Sequence, residues 1–543
     1  MSDDPSPPSQ TTTTSPGSGP VNGPAPAAAG TRAAPPGLWT ATTYFAQGFP
    51  YSIVINLANL YFVAQKASLE AVGLTSLFHL PWNLKAFVGP FVDAYGTKRR
   101  WLVGIELLLC LALVVFSFVA SLSDVLVAAS VMFLVVAVLS ATHDIAIDGL
   151  YLEAIDKKDQ ERLVGLRAPA WRAAMLLVTG PMAILCDKAG WALGFGLMAV
   201  VVALLFGFHA AFLPRTEIGK KPLLELLQRA LSRRFAGTAV VVAAGIAVAR
   251  TLWLSEGRLA LAAAFTGSFP DLAAKMDKLT AEAWIGLALL TLMLVGLALL
   301  PLLRRRLSQS TSDYARSFVA FLEQPHAGRV LVYVITFRVG ESFLQTMRYP
   351  FLKASLGLTQ TEYGVAQGTL GTIAALAAPV VGGLLIARLG LRRCIWPFLL
   401  AMNGLHLTFC ATAVFATQIS AAHTPVIGAA LGMHAVTLVD VRLLIVSAVL
   451  IIENIGAGLG TAAFMVYLIR CCVPGHKAAH MALLTSVMSI SFTLAGVFSG
   501  FIADFTGFPL YWALVFVITI PGMALTLWVP HIDEPGAPPA LGR

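Results

Sequence analysis

A chain of 543 residues that is 57% hydrophobic and only 12% charged, with a mean hydropathy of +0.78, is excluded from the soluble globular class and reads as a polytopic membrane protein. The net charge of +9 is modest and calls for no nucleic-acid partner; where the basic residues fall says more than their sum. The six cysteines have no metal spacing and lie in or beside apolar runs, so no metal, cofactor or redox role is expected.

Residues 1–37 are rich in Pro, Ser, Thr, Gly and Ala and contain no apolar signal segment, so a disordered tail is expected, with insertion driven by the first span. That span, 38–63, carries Gln47, Asn56 and Asn59 with the breakers Gly48 and Pro50, which suits a helix lining a cavity. The second, 71–95, holds His79, Asn83 and Lys85. The third covers 101–120, the fourth 125–153, the fifth 166–186 with Arg167 and Arg172, and the sixth 191–213. Residues 38–213 therefore form a first six-helix half.

Residues 214–329 read as an amphipathic linker (214–234) followed by two extra spans, 235–254 and 284–303, closed by Arg304, Arg305 and Arg306. A second six-helix half, 330–530, contains spans near 330–352, 363–389, 391–417, 443–469, 478–505 and 509–528. Residues 424–438 form a short apolar piece outside the slab, and 531–543 a terminal tail. The tally is fourteen spans in an all-α membrane protein. Clustered Lys and Arg fall in alternate loops, which predicts both termini in the cytoplasm.

Two loops match. Gly89 to Arg100, with Asp93, Gly96, Lys98, Arg99 and Arg100, follows the second span; Gly382 to Arg393, with Arg388, Gly390, Arg392 and Arg393, follows its counterpart in the second set. Each is a glycine, a charge, a glycine and a basic cluster, in corresponding places of two six-span sets. This pattern resembles the loop motif of the major facilitator superfamily, which implies two halves rocking around a central site. It marks Asp93, Arg99, Arg100, Arg392 and Arg393 as gating-loop residues.

The densest intramembrane chemistry lies at the end of the fourth span: His143, Asp144, Asp148 and Glu153. Asp144 and Asp148 are one helical turn apart, on one face. Ionisable residues at this depth are costly, so they mark a pathway, and these four are the expected proton-coupling groups. The plainer reading is that the span ends near His143 and the acids cap it; a lone His is also often a core residue. Lys85 and Arg172 are partners either for the acids or for an anionic solute. Arg338 and Glu341, at i and i+3, either pair within their helix or meet substrate.

The stretch Leu80 to Asp93, the stretch Ala141 to Glu153, the stretch Glu453 to Leu468 (with Asn454, Gly456, Gly458, Gly460 and Tyr467), Arg338 to Glu341 and Ala482 to Ser486 resemble the AmpG-type permeases, a family related to the acetyl-coenzyme A transporters. The resemblance spans about 38–213 and 330–528. It implies a secondary transporter bringing anhydro-muropeptides into the cytoplasm across a bacterial inner membrane, with protons and a small-molecule solute as its partners. The candidate solute-site residues are Gln47, Tyr51, Asn56, Asn83, Lys85, Arg172, Arg338, Glu341, Asn454, Tyr467 and His480. The sequence departs from the family pattern at His143, where Gln is typical, and at 478–481, where His480 stands near a typical Thr-Gln stretch. Both changes exchange an amide for a group that titrates near neutrality.

Two other classes fit parts of the pattern. A membrane-embedded acyl or glycan transferase could use His143 and Asp144, though no second catalytic set accompanies them. A non-transporting scaffold or lipid-handling protein would leave the intramembrane charge unused. No nucleotide-binding loop (Gly-x-x-x-x-Gly-Lys-Ser/Thr) is present, so an ATP-driven pump would need a partner.

Overall fold

The structure, a computed structural model, describes residues 33–85, 88–89, 92, 95–122, 125–215, 222, 225, 319–421, 425–426, 439–472, 477–530 and 532. The expected tail (1–32), nearly all of the 214–329 insert with its two extra spans, most of 424–438, the end of the chain and Asp93 lie outside the described residues. Twelve helical spans remain. Polar loops and caps delimit them, and apolar runs of bilayer length fill them.

The first half contains α1 (36–64), α2 (69–85, continuing through 88–89 and 92), α3 (Lys98–Val119), α4 (Leu126–Ala154), α5 (157–189) and α6 (Trp191–Phe212). The second contains α7 (327–356), α8 (360–389), α9 (391–421), α10 (Val441–Arg470) and one run, Lys477–Leu525, that divides into α11 and α12. Side-chain caps start several of them: Ser68 accepts from the Ala71 amide, Thr97 from Arg100, and Asp440 from Arg442. Thr359 and Glu362 form a reciprocal capping box at the start of α8. A two-residue ladder, Pro425–Val426 against Val439–Asp440, is the sole strand pairing among the described residues.

The loop repeat seen in sequence recurs in the backbone. Gly96 (φ 63°) turns α2 into α3, and Gly390 (φ 80°) turns α8 into α9. A second matched pair, Gly190 (φ 89°) and Gly507 (φ 69°), joins α5 to α6 and α11 to α12. At these left-handed positions a side chain would be strained, so glycine sets each sharp reversal.

Some boundaries differ from expectation. The helix α5 begins at Lys157, ahead of the expected span, whose apolar part starts at Leu166. α2 is broken into helix Leu69–Leu74, a 3-10 stretch Thr75–His79 and helix Leu80–Asn83. α9 breaks at Leu405 and Phe415 and continues to Ala421. Eight described helices pass a simple test of length and apolarity, one of them the α11–α12 run. α1, α2 and α7 do not, because polar residues, breaks or charges lower their apolarity. All three contribute residues to the central cavity.

The halves meet along α2 with α11, α5 with α8, and α1 with α7. Between described residues, their hydrogen bonds run from mid-depth to the end of the bundle away from the chain termini, here the far end. Asn59 donates to the Thr346 carbonyl (2.8 Å), Gln360 to the Ala183 carbonyl (2.8 Å), and Thr179 to the Gly368 carbonyl (3.2 Å). Asn83 reaches Thr493 (3.0 Å) at mid-depth. Glycines bring the backbones into contact there. A Cβ on Gly500 would strike the Leu69 carbonyl, and one on Gly368 the Thr179 carbonyl. Three π turns, Ile53–Leu57, Val178–Met182 and Gly364–Gly371, fall in α1, α5 and α8 at this seal.

Overpacking the seal should loosen it by about 1–3 kcal/mol. A Thr346→Cys reporter should therefore react slowly with a membrane-impermeant maleimide applied from the far end, and roughly tenfold faster once Gly368→Val is added. The six native cysteines provide the labelling background. Equal rates would mean that the glycine contacts do not hold this end shut.

Candidate functional site

A cavity of about 510 Å³ lies between the halves. It reaches from Asn56 at mid-depth to Asp148 and Met465 near the terminus end. A smaller void of about 60 Å³ continues towards the seal, between Asn59, Thr346 and Tyr363.

In the first half, α4 presents Asp144 and Asp148 to the cavity. The Gln47 amide of α1 donates to Asp144 Oδ1, and Lys85 Nζ of α2 lies 3.4 Å from Oδ2. Asp148 accepts from the Tyr44 hydroxyl (2.7 Å) and from Arg167 Nη2 (2.7 Å). The Arg167 guanidinium also sits over the rings of Tyr44 and Tyr151, at 4.4 and 4.9 Å. One helical face thus ties α1, α2 and α5 to α4.

The second half has its own pairs. Arg338 bonds Glu341 through two nitrogens (2.8 and 2.5 Å), and Gln345 adds a longer contact to Glu341. Arg348 Nη1 donates to Glu453 Oε2 (2.9 Å) and its Nε to the Tyr363 hydroxyl (3.2 Å). Asn454 Nδ2 bridges Glu453 and Gln367 at 3.1 and 3.0 Å. The i, i+3 pairing expected of Arg338 and Glu341 is present, and both also line the cavity.

Aromatic rings form one wall. Tyr51 packs edge-on to Trp82 (5.1 Å) and tilted against Trp171 (5.2 Å). Arg172 lies 5.5 Å over the Trp171 ring and makes no ion pair among the described residues. Five cations, Lys85, Arg167, Arg172, Arg338 and Arg348, thus meet four carboxylates, and Arg172 is the excess charge.

Of the residues expected at the solute site, Gln47, Tyr51, Asn56, Lys85, Arg172, Arg338, Glu341 and Asn454 line the cavity. Asn83 sits in the contact between the halves instead. Tyr467 and His480 are elsewhere. Tyr467 is fully buried against Tyr333 (5.0 Å), and His480 against Phe321 (5.3 Å). Tyr467 follows Asn454 by thirteen residues, a rotation of about 220° that turns it away from the centre.

The expected proton-coupling set divides in the same way. Asp148 lies about 40° from Asp144 around α4, but Glu153 lies about 180° away and does not line the cavity. His143 is completely buried and faces Glu106, with Nε2 at 3.4 Å from Oε1. At the basic loops, Arg99 donates to the Ala210 carbonyl at the end of α6 (2.5 Å), while Arg100, Arg392 and Arg393 are exposed. The cavity also takes in Arg348, Gln367 and Trp171, which the sequence reading did not single out. A charge, an amide or a ring inside an apolar run was their signal, and it does not tell which face a residue occupies.

Solved structures share this architecture. A peptide transporter POT in complex with sulfate aligns over 91% of this chain and 94% of its own, with a TM-score of 0.60 and 15% identity. A D-xylose-proton symporter aligns over 92% and 98%, with a TM-score of 0.54 and 12% identity. The Major Facilitator Superfamily family model matches residues 330–543. The fold is that of major facilitator transporters, and the second half of the chain matches that superfamily's model. Within that class the chain resembles the AmpG permeases: it is 20% identical over 489 residues to the anhydromuropeptide permease of Escherichia coli strain K12, covering 89% of this chain and 77% of that protein.

Stranding one member of the buried Arg348–Glu453 pair should cost about 3–5 kcal/mol, while removing both should cost far less. Thermal unfolding in detergent of Arg348→Met, Glu453→Gln and the double variant checks this. A double variant less stable than either single one would contradict the pairing.

Proposed function

We propose that the protein imports a polar, partly anionic cell-envelope solute of the anhydro-muropeptide class, driven by protons, by alternating access across a bacterial inner membrane. The observation that carries this reading is the central cavity, where an uncompensated Arg172 stands beside the Tyr51, Trp82 and Trp171 rings. A sugar offers an apolar face to such rings, and a lactyl or peptide carboxylate offers the missing negative charge. The anhydromuropeptide permease among its relatives supports the solute class.

With both termini in the cytoplasm, the sealed end faces outward and the structure corresponds to an inward-facing state. Asp144 is the coupling carboxylate in this reading. It lines the cavity and shares one oxygen with Gln47 and the other with Lys85, so taking up a proton would release Lys85 for the solute. Asp148 is held by Arg167 and Tyr44 and orients α4 against α1 and α5. The contacts between the halves are glycine backbones and hydrogen bonds, among them the paired bonds of Thr361 to Asp187, and include no ion pair among the described residues.

Uptake of radiolabelled GlcNAc-anhydro-MurNAc peptide into proteoliposomes, with and without an inward proton gradient, tests this. Gradient-dependent accumulation is expected; no uptake by folded protein would remove the solute class and direct attention to acetyl-coenzyme A. Asp144→Asn should abolish gradient-driven accumulation while leaving solute counterflow. Arg172→Gln should raise KM by about tenfold or more, the worth of one charge-assisted hydrogen bond, with a smaller effect in Arg172→Lys.

A further inference from the structure

Behind the cavity, inside the first half, lies a cluster that the transport scheme does not use. Glu106 of α3 is 1% exposed, and His143 of α4 and His209 of α6 are 0% exposed. His209 Nδ1 is 2.6 Å from Glu106 Oε1, and His143 Nε2 is 3.4 Å from the same oxygen. Neither a lysine nor an arginine reaches Glu106 among the described residues. Glu106 Oε2 and both ring nitrogens of His143 have no hydrogen-bond partner, so His143 meets Glu106 only through the 3.4 Å approach of Nε2 to Oε1.

We propose that Glu106, His143 and His209 form a buried proton-binding site, separate from the cavity carboxylates and linked to them through α4. Glu106 lies eight residues into α3, about 12 Å along the helix, where a lone carboxylate would be costly. The hydrogen bonds indicate where its compensating proton sits. The Thr42 hydroxyl has one hydrogen and lies 3.2 Å from both the Leu38 and Trp39 carbonyls. If it donates to either, Thr42 Oγ1 is an acceptor for His209 Nε2 at 3.0 Å. His209 then donates from both nitrogens, to Thr42 and to Glu106, and is an imidazolium paired with a carboxylate.

His143 provides the second base. Protonated, it places a cation 3.4 Å from Glu106 Oε1, and the cluster passes from neutral to a charge of +1. Successive helical residues are about 100° apart, so α4 turns His143 into this cluster and Asp144 into the cavity. A charge gained behind the helix is therefore felt one residue away by the carboxylate in front. This link to uptake rests on the transport reading; the proton site itself does not.

No other described titratable group pairs with Glu106. On α1, Tyr44 bonds Asp148; on α2, Lys85 meets Asp144 and His79 faces the rings of Tyr51, Trp82 and Phe492. On α3, Lys98 bonds the Val92 carbonyl, and Cys110 the Ala199 carbonyl. On α4, Tyr151 packs against Tyr44 and Arg167, while Glu153 lies on the face opposite Asp144. In α5, Cys186 is at Gly194, Asp187 bonds Thr361, and Lys188 is exposed at the helix end.

The test is ¹⁵N-histidine NMR of the full chain in nanodiscs between about pH 5 and pH 9, with signals assigned by His143→Gln and His209→Gln. The His209 signals should show a proton on both nitrogens, with Glu106 and Thr42 as the two acceptors, and Glu106→Gln should change the midpoint at which one is lost. Where Glu106→Gln does not yield folded protein, Thr42→Val removes the second acceptor and should move the midpoint the same way. A His209 that is neutral throughout this range, or indifferent to both substitutions, overturns the proposal. These readings need no transported solute, so they stand apart from failure of the muropeptide assay. In proteoliposomes, His143→Gln should displace the pH profile of uptake by about one unit while the KM at the optimum is kept. An unchanged profile would break the link to transport.

Discussion

An ionised side chain inside a hydrocarbon slab needs a counter-charge or water, and that requirement organises the middle of this molecule. Asp144 meets Lys85, Asp148 meets Arg167, Glu341 meets Arg338 and Glu453 meets Arg348. Every one of these pairs closes within a single half. The halves can therefore change their mutual angle without stranding a buried charge, which is among the costliest changes a folded protein can undergo.

What crosses between the halves is weaker and more easily reversed. The far end is held by backbone carbonyls accepting from Asn59, Gln360 and Thr179, and by glycines on α2, α5, α8 and α11 that let main chains touch. Close packing of small residues gains its stability from van der Waals contact and loses it over a short displacement. The π turns and breaks lie in the helices that form this contact, where irregular backbone is tolerated because it faces protein or a cavity rather than lipid.

α4 is where the two kinds of chemistry meet. One face carries Asp144 and Asp148 towards the solute path; the next face carries His143 towards Glu106 and His209. His143 and Asp144 are adjacent residues, so the buried cluster behind the helix and the cavity in front share one turn. Arg172 differs from the other central cations in having a ring but no carboxylate beneath it, which leaves its charge available to a ligand.

Hydropathy and charge by themselves determined most helix limits and the matched glycine loops, and marked polar residues that line the central cavity, because bilayer length and the cost of buried charge are written locally along the chain. Periodicity also put Asp144 and Asp148 on one face. Partners were decided only by the tertiary structure. Which cation meets which acid, why Tyr467 and His480 turn into packing, and why His143 looks away from Asp144 depend on helix rotation and on neighbours from other helices. Glu106 and His209, 103 residues apart, join across two helices whose separate patterns show only an isolated acid and an isolated histidine in apolar runs. Pairing across such distances is a property of packed helices, and no local periodicity encodes it.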